Sequence, residues 1–167
     1  MPKVGKMGYS DYDFKFAKTI LKQHFPGFMD EIEDSIKQLQ HMLFLGKTKL
    51  GRGTRPTPAQ ILEELLARKG WQRQQPVTPQ HKRLKFDLKK DKVAIEIQLS
   101  DPSDCYNDFL KFLLAYNLEV IDVAVEIVYD DSVKGTNLPR LSKVRRDLEI
   151  YRSVLPCPIW VIGLRPE

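Results

Sequence analysis

The sequence predicts an α/β domain, with a mixed β-sheet held between layers of helices. Three observations predict it. Leu84, Phe86 and Leu88 alternate with polar residues, as do Val93, Ile95, Ile97 and Leu99, so residues 81–99 read as a hairpin around a lysine-rich turn. Beyond the hairpin, helical and strand patterns alternate, which implies crossovers and parallel pairing with right-handed connections. The closing run PIWVIGL is nearly continuous apolar, the mark of a strand buried on both faces.

The elements follow in order. In DYDFKFAKTILKQHF (11–25), Phe14, Ala17, Lys18, Leu21 and Phe25 fall near helical spacing, and Pro26-Gly27 ends the segment. A second helix over 29–45 repeats Ile32, Ile36, Leu39 and Leu43; its apolar stripe suits either the protein's own core or a dimer interface. Thr57-Pro58 supplies an N-cap followed by proline at the first helical position, and the helix it opens runs to Gly70. After the hairpin come a helix over 104–117, a strand over 118–129, a polar loop over 130–140, a basic helix over 142–154 and a last strand over 158–164.

With 167 residues, 42% hydrophobic and 29% charged, the chain suffices for one soluble domain with a real core. No apolar run approaches the roughly 18 residues of a membrane span. The first residues lack a signal-peptide core, so a cytoplasmic protein is expected. Cys105 and Cys157 belong to no ligand cluster and read as reduced, buried residues. Net charge is +5, and two acid-free basic runs, 46–55 and 137–146, are candidate phosphate contacts or solvated surface. Gly46-Lys47-Thr48 is not a P-loop, because His41 stands where that motif requires its first glycine.

The hairpin carries the chemistry. With its turn centred between Lys90 and Asp91, one face collects Leu84, Phe86, Leu88, Val93, Ile95, Ile97 and Leu99. The other collects Arg83, Lys85, Asp87, Ala94, Glu96 and Gln98. Asp87 is then a diagonal neighbour of Glu96, roughly 7 to 8 Å away along the backbone. Two carboxylates converging on one point repel unless a cation lies between them, and oxygen-only ligands favour a hard ion such as Mg²⁺. The alternative is a solvated face on which Asp87 and Glu96 pair with Lys85 and Arg83.

Asp87, eight residues, Glu96, one residue, Gln98 resembles the active-site motif of the PD-(D/E)XK nucleases. More narrowly, it is similar to the type II restriction endonucleases close to BglII and BstYI, where glutamine replaces the usual lysine. AIEIQLSD, the helix with DFLKFLLAY, EVIDVAVEIVYD and the close LPCPIWVIGLRP follow that family's order over about residues 81–165. The resemblance implies a restriction-endonuclease-like three-layer fold, with a helical part over 1–56 and a catalytic core over 57–167.

It further implies Mg²⁺-dependent cleavage of double-stranded DNA at a palindrome, with GATC at its centre, by a homodimer. A DNA methyltransferase of the same specificity would be the functional partner. Asp87, Glu96 and Gln98 match the catalytic positions, with Asp87, Glu96 and the Ile97 carbonyl as metal ligands. Ser100 and Asp101 fall in one base-contacting loop, and Lys134 and Asn137 in a second. Arg140, Lys143, Arg145 and Arg146 are candidate phosphate contacts. One more polar position before the hairpin is Glu63, Glu64 or Gln72. A structure-selective nuclease and a DNA-binding protein without catalysis are the competing readings.

Overall fold

The computed structural model describes residues 8–44 and 56–165. The basic run 46–55, together with the Gly46-Lys47-Thr48 triplet, lies outside the described residues. The order of elements is β1 (Tyr9–Phe14), α1 (Ala17–His24), α2 (Phe28–Phe44), α3 (Pro58–Ala67), β2 (Gln72–Pro76), β3 (Lys85–Lys90), β4 (Val93–Ile97), α4 (Asp104–Asn117), β5 (Val123–Tyr129), α5 (Leu141–Ile150) and β6 (Ile159–Leu164). Together the strands form one mixed sheet in the order β1-β6-β5-β4-β3-β2. β4, β5 and β6 run parallel, and the other pairings are antiparallel.

Two cores sandwich this sheet. Leu21 of α1, Ile32, Ile36 and Leu39 of α2, and Ile61, Leu62 and Leu66 of α3 cover one face, meeting Val93, Ile95, Val125, Ile127, Trp160 and Ile162. Phe109, Phe112 and Ala115 of α4, with Val144 and Leu148 of α5, cover the other, meeting Ala94, Ala124, Ile159 and Val161. Ile32, Ile36 and Leu39 of the α2 stripe are therefore spent on the protein's own core and not free for a dimer interface, while the side chain of Leu43 lies outside the described residues. α3 opens as its sequence dictates, on a reciprocal capping box between Thr57 and Gln60 with Pro58 in the first turn.

Three expectations change. Residues 9–14 are not helical. They form an edge strand antiparallel to β6, and the helix begins only at Ala17, after Lys15 and Phe16 turn the chain through positive φ. The N-terminal part thus contributes a strand to the central sheet. Second, β2 is a strand that periodicity missed, because QRQQP is a polar edge strand with little to bury. Third, the hairpin turn is Asp91–Lys92, with Asp91 at φ 50°, so Leu88 pairs with Ile95 instead of Val93. That shift keeps Leu88 and Ile95 on the predicted face. Phe86 instead leaves Leu88's face to stack on Phe112 of α4, at 6.1 Å between ring centroids, and Leu84 is exposed.

Candidate active site

The change of face between Phe86 and Leu88 occurs at Asp87, where the β3–β4 ladder stops. Beyond the Leu88↔Ile95 pair, Asp87 replaces a backbone acceptor with its own carboxylate: Oδ2 accepts the Ile97 N–H at 2.8 Å. Continued by one step, the register would put Asp87 opposite Glu96, where the sequence predicts a diagonal neighbour. The two acids meet at the open end of the hairpin.

Glu96 is buried on the α4 side of β4. Burial pushes its carboxyl well up, and the negative charges of Asp87 and Asp108 push the same way. Against them stands Lys111 of α4, whose Nζ lies 2.6 Å from Glu96 Oε1 and 3.2 Å from Asp108 Oδ1. Lys111 also donates to the Lys85 carbonyl at 3.2 Å. Its position between the two carboxylates holds the ammonium charged despite burial. Lys85 and Arg83, the sequence's candidates for pairing with the acids, are themselves exposed.

Gln98 projects next to this pair. Its Nε2 donates to Asp108 Oδ2 at 3.4 Å, while its Oε1 accepts from Ser100 Oγ at 3.1 Å and from the Asp101 N–H at 3.4 Å. Those contacts fix which way the amide points. Ser100 and Asp101, expected in a base-contacting loop, thus hold the Gln98 amide from one side. Asp101 also accepts from the N–H and hydroxyl of Ser103 at the start of α4, which lowers its carboxyl below the usual range.

Of the three candidates before the hairpin, Glu63 is the one that feels the charge of Asp87. Burial raises its carboxyl, and the charge of Asp87 raises it further. Glu64 is instead paired with Arg68 on the outside of α3, and Gln72 is exposed on β2.

Sequence reasoning missed a second tier behind Glu96. Glu126 lies beside it in the parallel β4–β5 register and is fully buried. Neither Glu126 oxygen receives a hydrogen bond from a donor among the described residues. Burial, then the negative charge of neighbouring Asp108, pushes this carboxyl far up and favours the neutral acid. The signal was present: an acid inside the apolar run VAVEIVY, and an Asp108/Lys111 pair between Phe109 and Phe112 on the buried side of a helix.

The donor set fits a hydrated hard cation better than a closed protein cage. Among the described residues no three His, Cys, Asp or Glu side chains converge as a metal-binding group. Two carboxylates with water and phosphate completing the shell is, however, the usual arrangement for Mg²⁺. The mutual repulsion of Asp87 and Glu96 supplies the reason for an ion to bind there.

The expected second loop, 130–140, starts where β5 ends. Lys134, Thr136 and Asn137 are exposed at its tip. Of the basic helix, Lys143 pairs with Asp147 at 2.7 Å, Arg145 lies over the Tyr12 ring, and Arg146 is exposed. No helix among the described residues is long and apolar enough to cross a membrane.

A family model for the restriction endonucleases BglII and BglIII matches residues 9–164, well into the N-terminal part where the sequence motifs carry no resemblance. Among solved structures, the crystal structure of restriction endonuclease BglII complexed with a DNA 16-mer matches with a TM-score of 0.75 at 17% identity. The match covers 95% of this chain and 78% of that one, and likeness at this identity speaks for the fold. No curated protein sequence matches the chain.

Proposed function

Because the chain belongs to the BglII/BglIII restriction endonuclease family, we propose that it is a Mg²⁺-dependent type II enzyme. On this reading it hydrolyses phosphodiester bonds in both strands of a palindromic duplex with GATC at its centre. The observation that carries the reading is the meeting of Asp87 and Glu96 at the broken end of the β3–β4 ladder, with the oriented amide of Gln98 beside them. The DNA in the BglII complex supports duplex DNA as the substrate.

Asp87, Glu96 and the Ile97 carbonyl would hold the ion. When bound, it supplies a Lewis acid that neutralises charge on the phosphate and makes water a better nucleophile. Glu63, whose carboxyl feels the charge of Asp87, would add negative potential on the side of the site facing α3. Gln98 orients water and takes no proton, since an amide does not ionise in this range. Its orientation is set by Asp108 and Ser100, so the water-facing part of the site is built before substrate arrives. Lys111 keeps a positive charge against Glu96 and limits the repulsion that would otherwise splay the acids apart.

Lys134 and Asn137 are proposed to read base edges, with Ser100 and Asp101 closing the opposite side. Lys143, Arg145 and Arg146 are proposed to contact phosphates. A homodimer would match the two-fold symmetry of the site. A cytoplasmic location and a DNA methyltransferase protecting the same sequence complete the reading.

Incubating the protein with unmethylated phage DNA and Mg²⁺ tests it, with EDTA and Glu96→Ala as controls. Discrete fragments are expected, all cut at GATC-containing sites, with activity lost by at least about a thousandfold in Glu96→Ala. A Mg²⁺-dependent smear would point to a structure-selective nuclease instead. Absence of cleavage across salt and metal conditions would leave a DNA-binding protein.

A further inference from the structure

The loop that runs from Asp130 to Arg140 is folded around one guanidinium. Arg140 sits at the loop's far end, where it forms a parallel bridge with Tyr129 at the near end, and the Tyr129 N–H donates to the Pro139 carbonyl at 3.0 Å. From that base the side chain turns back into the loop. Nη2 donates to the Gly135 carbonyl at 2.8 Å, and Nη1 donates to the carbonyls of Asp131, at 3.2 Å, and Val133. Three successive odd-numbered carbonyls therefore converge on a single planar cation. A lysine cannot imitate this, because its point charge lacks the rigid fork that spans separated acceptors.

The surrounding contacts brace the same structure. The Asp130 carboxylate accepts from the Ser132 N–H at 3.0 Å and from the hydroxyls of Ser10 and Ser132, and it lies 3.4 Å from Arg165 Nε. These partners hold its carboxyl down at about 2, although burial alone would raise it. Asp131 Oδ1 accepts the Ser142 N–H at 3.2 Å in the first turn of α5, joining loop and helix. The backbone shape enclosed is demanding: Gly135 has φ +141°, and a Cβ there would meet Leu138 Cδ1 at 2.8 Å. Asn137 also takes positive φ, at 55°.

We propose that Arg140 is the internal clamp of this loop, a positioning residue that sets sequence preference by fixing the tip at Lys134, Thr136 and Asn137. The inference rests on the reading of the loop as a base-contacting element. It reassigns Arg140 from the phosphate contacts, because three of its five N–H donors are turned inward on the loop's own carbonyls. The tip is held in one shape before DNA arrives, so the ordering cost of binding is already met and base contacts are made in a single register. Loss of the clamp is then expected to lower discrimination more than non-specific affinity.

Arg140→Lys tests this because it keeps the charge and removes the fork. Hydrogen exchange of the DNA-free protein is read first, at the Ser132 and Val133 amides, which donate to the Asp130 side chain and carbonyl. Exchange there is expected to quicken at least tenfold, while amides in β5 and β6 stay unchanged. With DNA, the preference for the cleaved site over single-base variants is expected to fall at least tenfold, with the salt dependence of non-specific binding unaltered.

Wild-type exchange and wild-type discrimination in Arg140→Lys would overturn the proposal. It is overturned equally if Arg140→Gln lowers the salt slope by about one, the sign of a lost phosphate contact. Faster exchange with intact discrimination would overturn the specificity role and leave a structural brace. If the unaltered protein shows no sequence preference, the reading of the loop fails. The exchange measurement, which needs no DNA, still decides whether Arg140 is a clamp.

Discussion

At its turn, the β3–β4 hairpin is tied to the helices by a fully matched set of charges. Lys90 Nζ lies 2.8 Å from Glu31 Oε1 and donates to the Lys69 carbonyl at 2.9 Å, above the ring of Phe28. The indole N–H of Trp71 takes the other Glu31 oxygen at 2.8 Å. At the open end of the same two strands, acids outnumber cations. Glu96 and Asp108 flank Lys111, Asp87 acts on Glu96, Glu63 feels both Asp87 and Arg73, and Glu126 lies behind them. One end spends its charges on holding the hairpin down. The other keeps an excess of negative charge, which a fold needing only stability would have no reason to assemble.

Removing the cation at each end is the sharpest way to break this comparison. Lys111→Met leaves Glu96 and Asp108 facing each other in a site where all three side chains are at most 13% exposed. At pH 9.5, above the raised Glu96 value and with Lys111 still charged in the parent protein, a loss of about 3 kcal/mol is expected by denaturant unfolding, from the cost of uncompensated buried charge. Lys90→Met acts on a pair whose side chains are 26% and 27% exposed, where about 1 kcal/mol is expected. Millimolar Mg²⁺ should restore part of the Lys111→Met loss and none of the Lys90→Met loss. Equal responses of the two variants to Mg²⁺ would mean that the open end is not a cation site.

Acidity gives a second contrast. The Glu96 carboxyl rises on folding from the ordinary 4.5 to about 9, so across that window the folded protein binds the extra proton. Its contribution to stability is complete below the lower value and lost as pH climbs through the upper one. Without divalent ions, the melting temperature should therefore fall from pH 5 to pH 9, and Glu96→Gln should flatten the fall. Mg²⁺ should also flatten it, by favouring the ionised form. A metal-free profile that rises over this range would remove Glu96 as the strained group.

Much of this contrast is legible in the chain. Alternation places Glu96 opposite to Ile95 and Ile97, and the spacing to Asp87 joins the two acids at one end of the hairpin. The predicted turn falls one residue early, because Asp91 can adopt the positive φ that the Asp91–Lys92 turn requires and composition alone does not choose between the two centres. The strand at 9–14 escapes because Phe14, Ala17 and Leu21 all enter the core, giving a helical spacing that spans the strand–helix junction. β2 escapes because a polar edge strand has no apolar period to read. Lys111, Asp108 and Glu126 are invisible as a group, since only packing of α4 across β4 and β5 brings them together. The clamp at Arg140 is of the same kind: composition shows a cation, and only the folded loop shows where its donors go.

Glu126 gives the smallest expected effect and the most discriminating one. It is 0% exposed, one strand away from Glu96, and a carboxylate so placed would at first sight be a third ligand. The neutral form argues otherwise: burial and the charge of Asp108 hold the carboxyl far up, and it binds no cation while it keeps its proton. Glu126→Gln preserves both size and a donor toward Asp108, so stability should change by less than about 0.5 kcal/mol and cleavage by no more than about threefold. Glu126→Ala should instead cost about 2 kcal/mol or more, through the lost donor and the space left in a packed core. An ionised Glu126 would reverse the order of importance. Its exchange for glutamine would then abolish Mg²⁺ binding, which titration of the ion into the purified variant would reveal, and the excess negative charge at the open end would extend one strand deeper into the sheet.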